Sequence, residues 1–498
     1  MGMHLVWALS TTVLLAHVVT SHGYGYFRDE LYYLACSAHP ALGYVDFAPL
    51  LALTLAPWRA VFGDSLLALR FFPAVCAAAT VVLTAGLVRA LGGDRRALLP
   101  ALVPVMLAPI YVGTFGVLTP NAFDVVVWSA VLLVAVRLLA TPSIPLWVAL
   151  GVLLGVGFSN RHGIVFLVLG LAVGLVLTPA RRLLRGRGPW IAAAIAAALV
   201  LPHLVWQARH GWPTLEFLAN ARREKMLAQS ALGFLGEQVL VLNPLAAPLW
   251  IAGLVSLWRR DGGRHRALVL AYLTIFALMI LGAGKAYYLT PFYPLLFAAG
   301  AVAVLRSGRR AVAYGITAAV VIVGLALAPL AKPVLREEPF VRYAAALGQD
   351  PRAGIGERHE LGVLPQHFAD QHGWPELAAA VARVLARLPP DERARACIVA
   401  ANYGEAGAID FFGPALGLPP ARSGHNSYWL WGPGDCGFET VVAIGYEVEH
   451  VRPLARSVEE AERVECAYCM PYERRSILIA RGPTMAREAL WARLKRFQ

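Results

Sequence analysis

Two carboxylates stand side by side in Gly25-Tyr26-Phe27-Arg28-Asp29-Glu30-Leu31-Tyr32-Tyr33, just past the first apolar run of the chain. Acidic side chains at the end of a membrane helix are costly unless they are solvated, paired or used. A carboxylate is also a natural general base for taking the proton of a sugar or protein hydroxyl. Asp29 and Glu30 are therefore candidate catalytic residues. The same pair also suits the start of an interfacial helix, where acidic groups meet the positive end of the helix dipole. Arg28 beside them, and Asp46 in the following Gly43-Tyr44-Val45-Asp46, are candidate substrate-binding residues.

A second polar cluster, Leu118-Thr119-Pro120-Asn121-Ala122-Phe123-Asp124, opens a later apolar run. Asn121 and Asp124 join the candidate binding set, with Asp124 about one turn inside the membrane, where an ionisable side chain is a functional candidate by default. Asp29 and Asp124 together are candidate ligands of a divalent cation, Mg or Mn, that would bridge phosphate oxygens of a donor. Thr119-Pro120-Asn121 serves equally well as an ordinary helix start. Cations in this region are few. Arg161 and His162 in Asn160-Arg161-His162, and Lys285 with Tyr288 in Gly284-Lys285-Ala286-Tyr287-Tyr288, are candidates to clamp a phosphate. Arg161 and Lys285 could also snorkel to lipid headgroups. His210 sits between Trp206 and Trp212, whose rings suit anchoring at a membrane interface.

These residues need elements to hold them, and the composition says which. The chain of 498 residues is 58% hydrophobic and 15% charged, far from the balance of a soluble domain. Apolar runs near 5–20, 65–90, 97–115, 121–140, 145–159, 163–179, 190–207, 238–258, 267–283, 288–305 and 311–330 predict about eleven membrane spans. The first has no Lys or Arg before it and no clear cleavage site after it, so it reads as a retained helix rather than a signal peptide. The net charge of +13 does not indicate nucleic-acid binding, because 13 arginines fall in short breaks at 92–96, 141–145, 181–189, 259–266 and 306–310. Those breaks read as cytoplasmic. The N-terminus is then cytoplasmic, and the candidate residues all fall on the outer side.

From about 331 the chain becomes rich in charge, Pro and Gly. Strands are expected at Ala396 to Ala401, Thr440 to Gly445 and Ser476 to Ala480, and a helix at Pro375 to Leu388. The expected organisation is a membrane unit at 1–330 and a small extracytoplasmic α/β domain at 331–498. Cys466-x-x-Cys469 has metal or redox spacing without companions, which leaves a disulfide or an idle pair. Asn402-Tyr403-Gly404-Glu405-Ala406-Gly407 could bind an anion at a helix start. The polar and aromatic run from Ser423 to Trp431 suits either sugar stacking or packing.

Taken together, the motifs resemble bacterial members of glycosyltransferase family 39, the relatives of protein O-mannosyltransferases and of the lipid A aminoarabinose transferase. The resemblance rests on Phe27 to Tyr33, Gly43 to Asp46, Thr119 to Asp124, Trp206-Gln207-Ala208-Arg209-His210-Gly211-Trp212-Pro213, Leu242-Asn243-Pro244 and Lys285 to Tyr288, with Phe411-Phe412-Gly413 and Gly424-His425-Asn426 in the tail. It implies a GT-C fold, mainly α, with catalysis by the acidic pair of the first outer loop and a polyprenyl-phosphate sugar as donor. Asp29 is then the expected base and transfer inverts the anomeric carbon. Where many relatives have Asp-Gln-Pro-Pro, this chain has Asp46-Phe47-Ala48-Pro49. The expected function is sugar transfer in the inner or plasma membrane to an extracytoplasmic glycan, lipid or protein. Two rivals remain: a transporter or flippase of lipid-linked sugars, and a non-catalytic envelope assembly protein. A flippase would want polar, broken helices near the midplane, whereas these motifs gather at the ends of spans.

Overall fold

The structure is a computed structural model and describes residues 2–224, 230–349, 361–473 and 476–498. Its first two thirds form a bundle of apolar helices, and the chain is a multi-pass membrane protein. Leu66–Ala90, Pro120–Ala140, Gly188–Arg209, Ala286–Arg306 and Arg310–Ala331 are each long and apolar enough to cross a bilayer. Ile164–Val176 with Pro179–Arg185, and Ala231–Val241 with Pro244–Arg259, pass the same test as pairs bent by 107° and 99°. Met3–Val19, Ile144–Asn160 and Arg266–Leu281 are shorter apolar helices. The run expected near 97–115 is broken into Leu98–Leu107 and Pro109–Thr114, with Ala108 extended at ψ 134 between them. A residue before proline is driven out of the helical region, which accounts for the break.

Small residues let the helices close on one another. A Cβ on Gly300 would lie 1.9 Å from the Leu249 carbonyl oxygen, and one on Gly253 would lie 2.2 Å from that of Leu296. Only glycine permits this contact between Ala247–Arg259 and Tyr293–Arg306. At the arginine-rich end, Arg260 donates to the Leu91 carbonyl and Arg306 to that of Gly92, both at 2.8 Å. They satisfy carbonyls left over where Leu66–Ala90 ends.

The tail carries a five-stranded sheet: β1 (Cys397–Ala400), β2 (Ala421–Ser423), β3 (Thr440–Ile444), β4 (Ala455–Arg463) and β5 (Ser476–Pro483), in the order β2-β1-β3-β5-β4. β1 pairs in parallel with β2 and β3, while β5 is antiparallel to β3 and β4. Three strands and the Trp374–Ala386 helix match the sequence expectation; β2 and β4 were not anticipated. Disulfides join Cys397 to Cys436 and Cys466 to Cys469.

The first outer loop expected to carry the acidic pair is more structured than a loop. It holds two helices, Arg28–Ala38 and Leu50–Phe62. Leu31, Tyr32, Leu34 and Cys36 of the first are buried in one continuous core with Trp374, Val381, Ala406, Ile409, Ile444 and Ile477 of the tail. The tail helix Tyr403–Phe412 lies so close that a Cβ on Gly407 would sit 3.0 Å from the Leu31 carbonyl. The N-terminal loop is thus built into the tail domain.

Candidate functional site

The loop helix Arg28–Ala38 is locked at its first turn by Glu30. This side chain is fully buried. Its carboxylate accepts the Phe27 N–H at 2.8 Å, which caps its own helix, and the Leu118 N–H at 2.9 Å. Arg70, near the start of Leu66–Ala90, pairs with both oxygens at 2.9 and 2.8 Å. The same guanidinium donates to the carbonyls of Ser21 and Gly25 at 2.6 and 2.7 Å. Glu30 therefore ties three segments together and has all its oxygens engaged. Breaking such a buried pair costs about 3–5 kcal/mol.

Asp29 faces elsewhere. It is half-buried, and its Oδ1 accepts the Tyr403 hydroxyl at 2.9 Å. Tyr403 is the first residue of the tail helix Tyr403–Phe412. Its ring lies against Tyr32 at 4.4 Å and against His425 at 4.8 Å. Burial first, then the charge of Asp29, raises the Tyr403 phenol well above its ordinary range, so it stays a donor. Tyr32 in turn donates to Asp46 Oδ1 at 2.8 Å. Tyr33, one turn on from Asp29, is buried, and its phenol lies in the combined fields of Asp29, Asp46, Tyr403 and Arg161. Asp29 and Asp46 thus each hold a tyrosine of one aromatic cluster, and the charge of Arg161 acts on Tyr33 beside it.

Arg161 anchors the membrane side of the cluster. It hydrogen-bonds Asn121 Oδ1 and lies 3.5 Å from Asp124 Oδ2. Asn160, its neighbour, donates to Asp124 Oδ1 and to the Pro120 carbonyl, both at 2.9 Å. The guanidinium stands 4.6 Å from the Tyr288 ring centroid and 5.9 Å from that of Tyr287, which Lys285 also approaches at 5.9 Å. Asn121, Asp124, Arg161, Lys285 and Tyr288 are therefore one group, drawn from three separate helix ends. His162 lies 2.9 Å from His203, which also contacts the Leu42 carbonyl at 2.9 Å. A Cβ on Gly43 would strike Trp206 at 2.4 Å, which explains glycine before Tyr44. His210 is exposed and stacks on Trp206 at 4.2 Å.

Arg28 reaches into the tail at the Tyr403 edge of the cluster. It donates to the Tyr472 hydroxyl at 3.0 Å, lies 4.7 Å from the Tyr403 ring and stands 3.9 Å from Glu473. Asp370 accepts from the same Tyr472 hydroxyl at 2.9 Å. Burial pushes the Asp370 carboxyl up to about 6, with Arg28 opposing. The Asn402 segment is closed to an outside anion: the Asn402 side chain takes the Gly404 and Glu405 N–H groups at 2.8 and 3.0 Å. His425 packs against the chain end, 2.9 Å from the Gln498 carbonyl.

Among the described residues no three His, Cys, Asp or Glu side chains gather as a cation cage. Asp124 has one oxygen on Asn160 and the other facing Arg161, so its negative charge is already met by an organic cation.

Sequence reasoning missed Tyr403, Tyr33, Arg70, Asn160 and His203. Arg70 carried a signal, as a charge inside an apolar run; Tyr403 carried none, 374 positions from Asp29.

The chain is similar to known proteins over part of its sequence and nearly all of its fold. Residues 46–206 match the family model described as dolichyl-phosphate-mannose-protein mannosyltransferase. The lipid A galacturonosyltransferase RgtD of Rhizobium johnstonii is 27% identical over 277 residues, 53% of this chain and 56% of that protein. The chain thus spans about half the length of this curated relative. Among solved structures, ArnT from Cupriavidus metallidurans bound to undecaprenyl phosphate superposes with a TM-score of 0.61 at 14% identity, covering 95% of this chain and 97% of ArnT. Its apo form gives 0.62 at 15%, covering 96% and 97%. At that identity the likeness concerns the fold, which these two share with this chain over nearly its whole length. The chain is thus similar to a mannosyltransferase family over residues 46–206, to a lipid A galacturonosyltransferase over about half its length, and to ArnT in fold.

Proposed function

We propose that the chain moves a sugar from a polyprenyl-phosphate donor to an extracytoplasmic acceptor, a glycan, lipid or protein, with inversion. Asp29 takes the proton of the acceptor hydroxyl. The freed oxygen attacks the anomeric carbon, the bond from that carbon to the phosphate oxygen breaks, and polyprenyl phosphate leaves. Arg161 and Lys285 receive the phosphate charge by charge-assisted hydrogen bonds, and Tyr288 with Asn121 holds Arg161 in place. Asp46, His162 and His210 line the approach. Glu30 and Arg28 are positioning residues, the first for the loop helix and the second for the tail. What supports this reading is that the charges of Asp29 and Arg161 both act on the buried Tyr33 phenol, Asp29 raising and Arg161 lowering its proton affinity. A base and a phosphate-binding cation at one cluster is the minimum such a transfer needs.

Orientation follows the same reading. The arginine-rich end faces the cytoplasm with the N-terminus, eleven segments cross, and the tail at 331–498 lies outside. Two disulfides in the tail suit an oxidising compartment. A divalent cation, Mg or Mn, would have to arrive with the donor's phosphate, and none of the steps above passes through it.

The test compares wild type with Asp29→Asn in nanodiscs, offering a panel of polyprenyl-phosphate sugars and following release of lipid phosphate. The expected result is turnover that falls by about 10²–10⁴-fold in the variant while donor binding is retained. Equal turnover would remove Asp29 from the mechanism. Donor binding without turnover in wild type would favour a flippase.

A further inference from the structure

A cavity of about 590 Å³ lies between the loop helix and the tail, away from the site above. Leu31, Leu34, Ala35 and Ala38 line it, at the i, i+3, i+4, i+7 spacing of one helix face. Asp29 projects from the opposite face, two residues and about 200° from Leu31. The cavity is of a size that holds a small ligand, and it sits where two layers of the molecule meet.

Its far wall is aromatic and charged. Tyr428 and Trp431 meet at 4.6 Å, and the exposed His39 stacks on Trp431 at 4.1 Å and 13°. Two arginines reach the cavity, and they differ. Arg59 is engaged by Asp64 through two nitrogens and donates to the Leu34 carbonyl at 2.7 Å. The Arg422 side chain, on β2, makes no hydrogen bond or ion pair among the described residues, and its charge is one of those acting on the nearby Asp410. Among the described residues Asp410 forms no ion pair with it; its oxygens accept the Ala421 N–H at 2.8 Å and the Tyr428 hydroxyl at 2.6 Å.

We propose that this cavity is a binding site for an anionic saccharide, with the carboxylate or phosphate on Arg422 and the sugar ring on the exposed His39, which Trp431 backs. An uncommitted guanidinium offers two parallel donors that match either anion. Flat aromatic faces suit the C–H face of a pyranose and exclude the water that would otherwise screen the ion pair. Tyr428, fixed by Asp410, keeps the wall rigid. The site stands independently of catalysis by Asp29, because it lies on the other side of the loop helix.

The test measures binding of glucuronate, glucose 6-phosphate and glucose to the full-length protein in nanodiscs. Glucuronate binding alone identifies the carboxylate as the ligand group, and glucose 6-phosphate alone identifies the phosphate; binding of both supports the shared chemistry. Glucose is expected to bind at least tenfold more weakly than the better anion. Arg422→Gln is expected to lose at least tenfold in affinity for that anion, Trp431→Ala to lose affinity for all three probes, and Asp29→Asn to bind as wild type. Hydrogen exchange of wild type with saturating anion gives a readout that does not depend on a variant folding, with slower exchange expected over residues 418–432. Equal binding of glucose and both anions, no loss in Arg422→Gln, or protection confined to the surroundings of Asp29 would each overturn the proposal.

Discussion

Asp29 and Glu30 are adjacent in sequence and yet belong to two unlike regions. Around Glu30 the molecule is closed: an arginine and two backbone N–H groups fill its oxygens, and nothing of the side chain reaches solvent. Around Asp29 it is half-open, with a phenol on one oxygen and an aromatic cluster leading to Arg161. A saturated, buried carboxylate has no geometry left for taking a proton from a substrate, whereas a half-exposed one does. The difference teaches that an acidic pair divides its work, one member fixing the helix and the other presented by it.

Substitutions at the pair sharpen this contrast most. Asp29→Asn is expected to lower transfer by about 10²–10⁴-fold while leaving the thermal midpoint near wild type, as read by lipid-phosphate release and by unfolding in detergent. Glu30→Gln is expected to do the reverse in kind. It strands Arg70 without its partner charge and lowers stability by about 3–5 kcal/mol, seen as a lowered unfolding midpoint with activity lost in proportion to the unfolded fraction. A Glu30→Gln protein that is fully stable but inactive would break the comparison.

A third prediction concerns the closed region's extension around Arg28. The Asp370 carboxyl is raised by burial from 3.8 to about 6. The folded protein therefore holds this proton at pH values where the unfolded chain has released it. That contribution is complete below pH 4 and is lost as pH rises to about 6, amounting to roughly 2–3 kcal/mol. Asp370→Asn should flatten the fall in stability between pH 4 and 6, which chemical denaturation across that range checks. The smallest effect belongs to the open side. Tyr403→Phe removes one hydrogen bond from Asp29 and is expected to lower kcat by about tenfold, equivalent to ~1.4 kcal/mol. Because the lost donor had stabilised the carboxylate, the acidic limb of the pH–rate profile should move upward. A change in KM alone would place Tyr403 in substrate binding instead.

The sequence discloses the membrane bundle because apolar runs need no partner to be recognised. It also discloses Asp29, Asp124, Arg161 and Lys285, since a charge at the edge of an apolar run is conspicuous. It does not disclose which of the acidic pair is buried, because that depends on Arg70, forty positions away inside another helix. Nor does it disclose Tyr403, one tyrosine among 17. β4 escaped for a different reason: Ala455-Arg456-Ser457-Val458-Glu459-Glu460-Ala461-Glu462-Arg463 carries charge at most positions, as suits an exposed edge strand, and lacks the apolar alternation by which strands are read. The break at Ala108 was written in Pro109, but hydropathy alone runs smoothly across it.

The core shared by the loop helix and the tail has a consequence for the order in which the molecule is made. Leu31 and Leu34 leave the ribosome early, while their neighbours Trp374 and Val381 follow about 340 residues later. At usual rates of synthesis, about 5–20 residues per second, the apolar face of that helix waits for tens of seconds. A nascent protein that has not yet reached Tyr403 therefore has its membrane helices made but its presented aspartate not yet set in place.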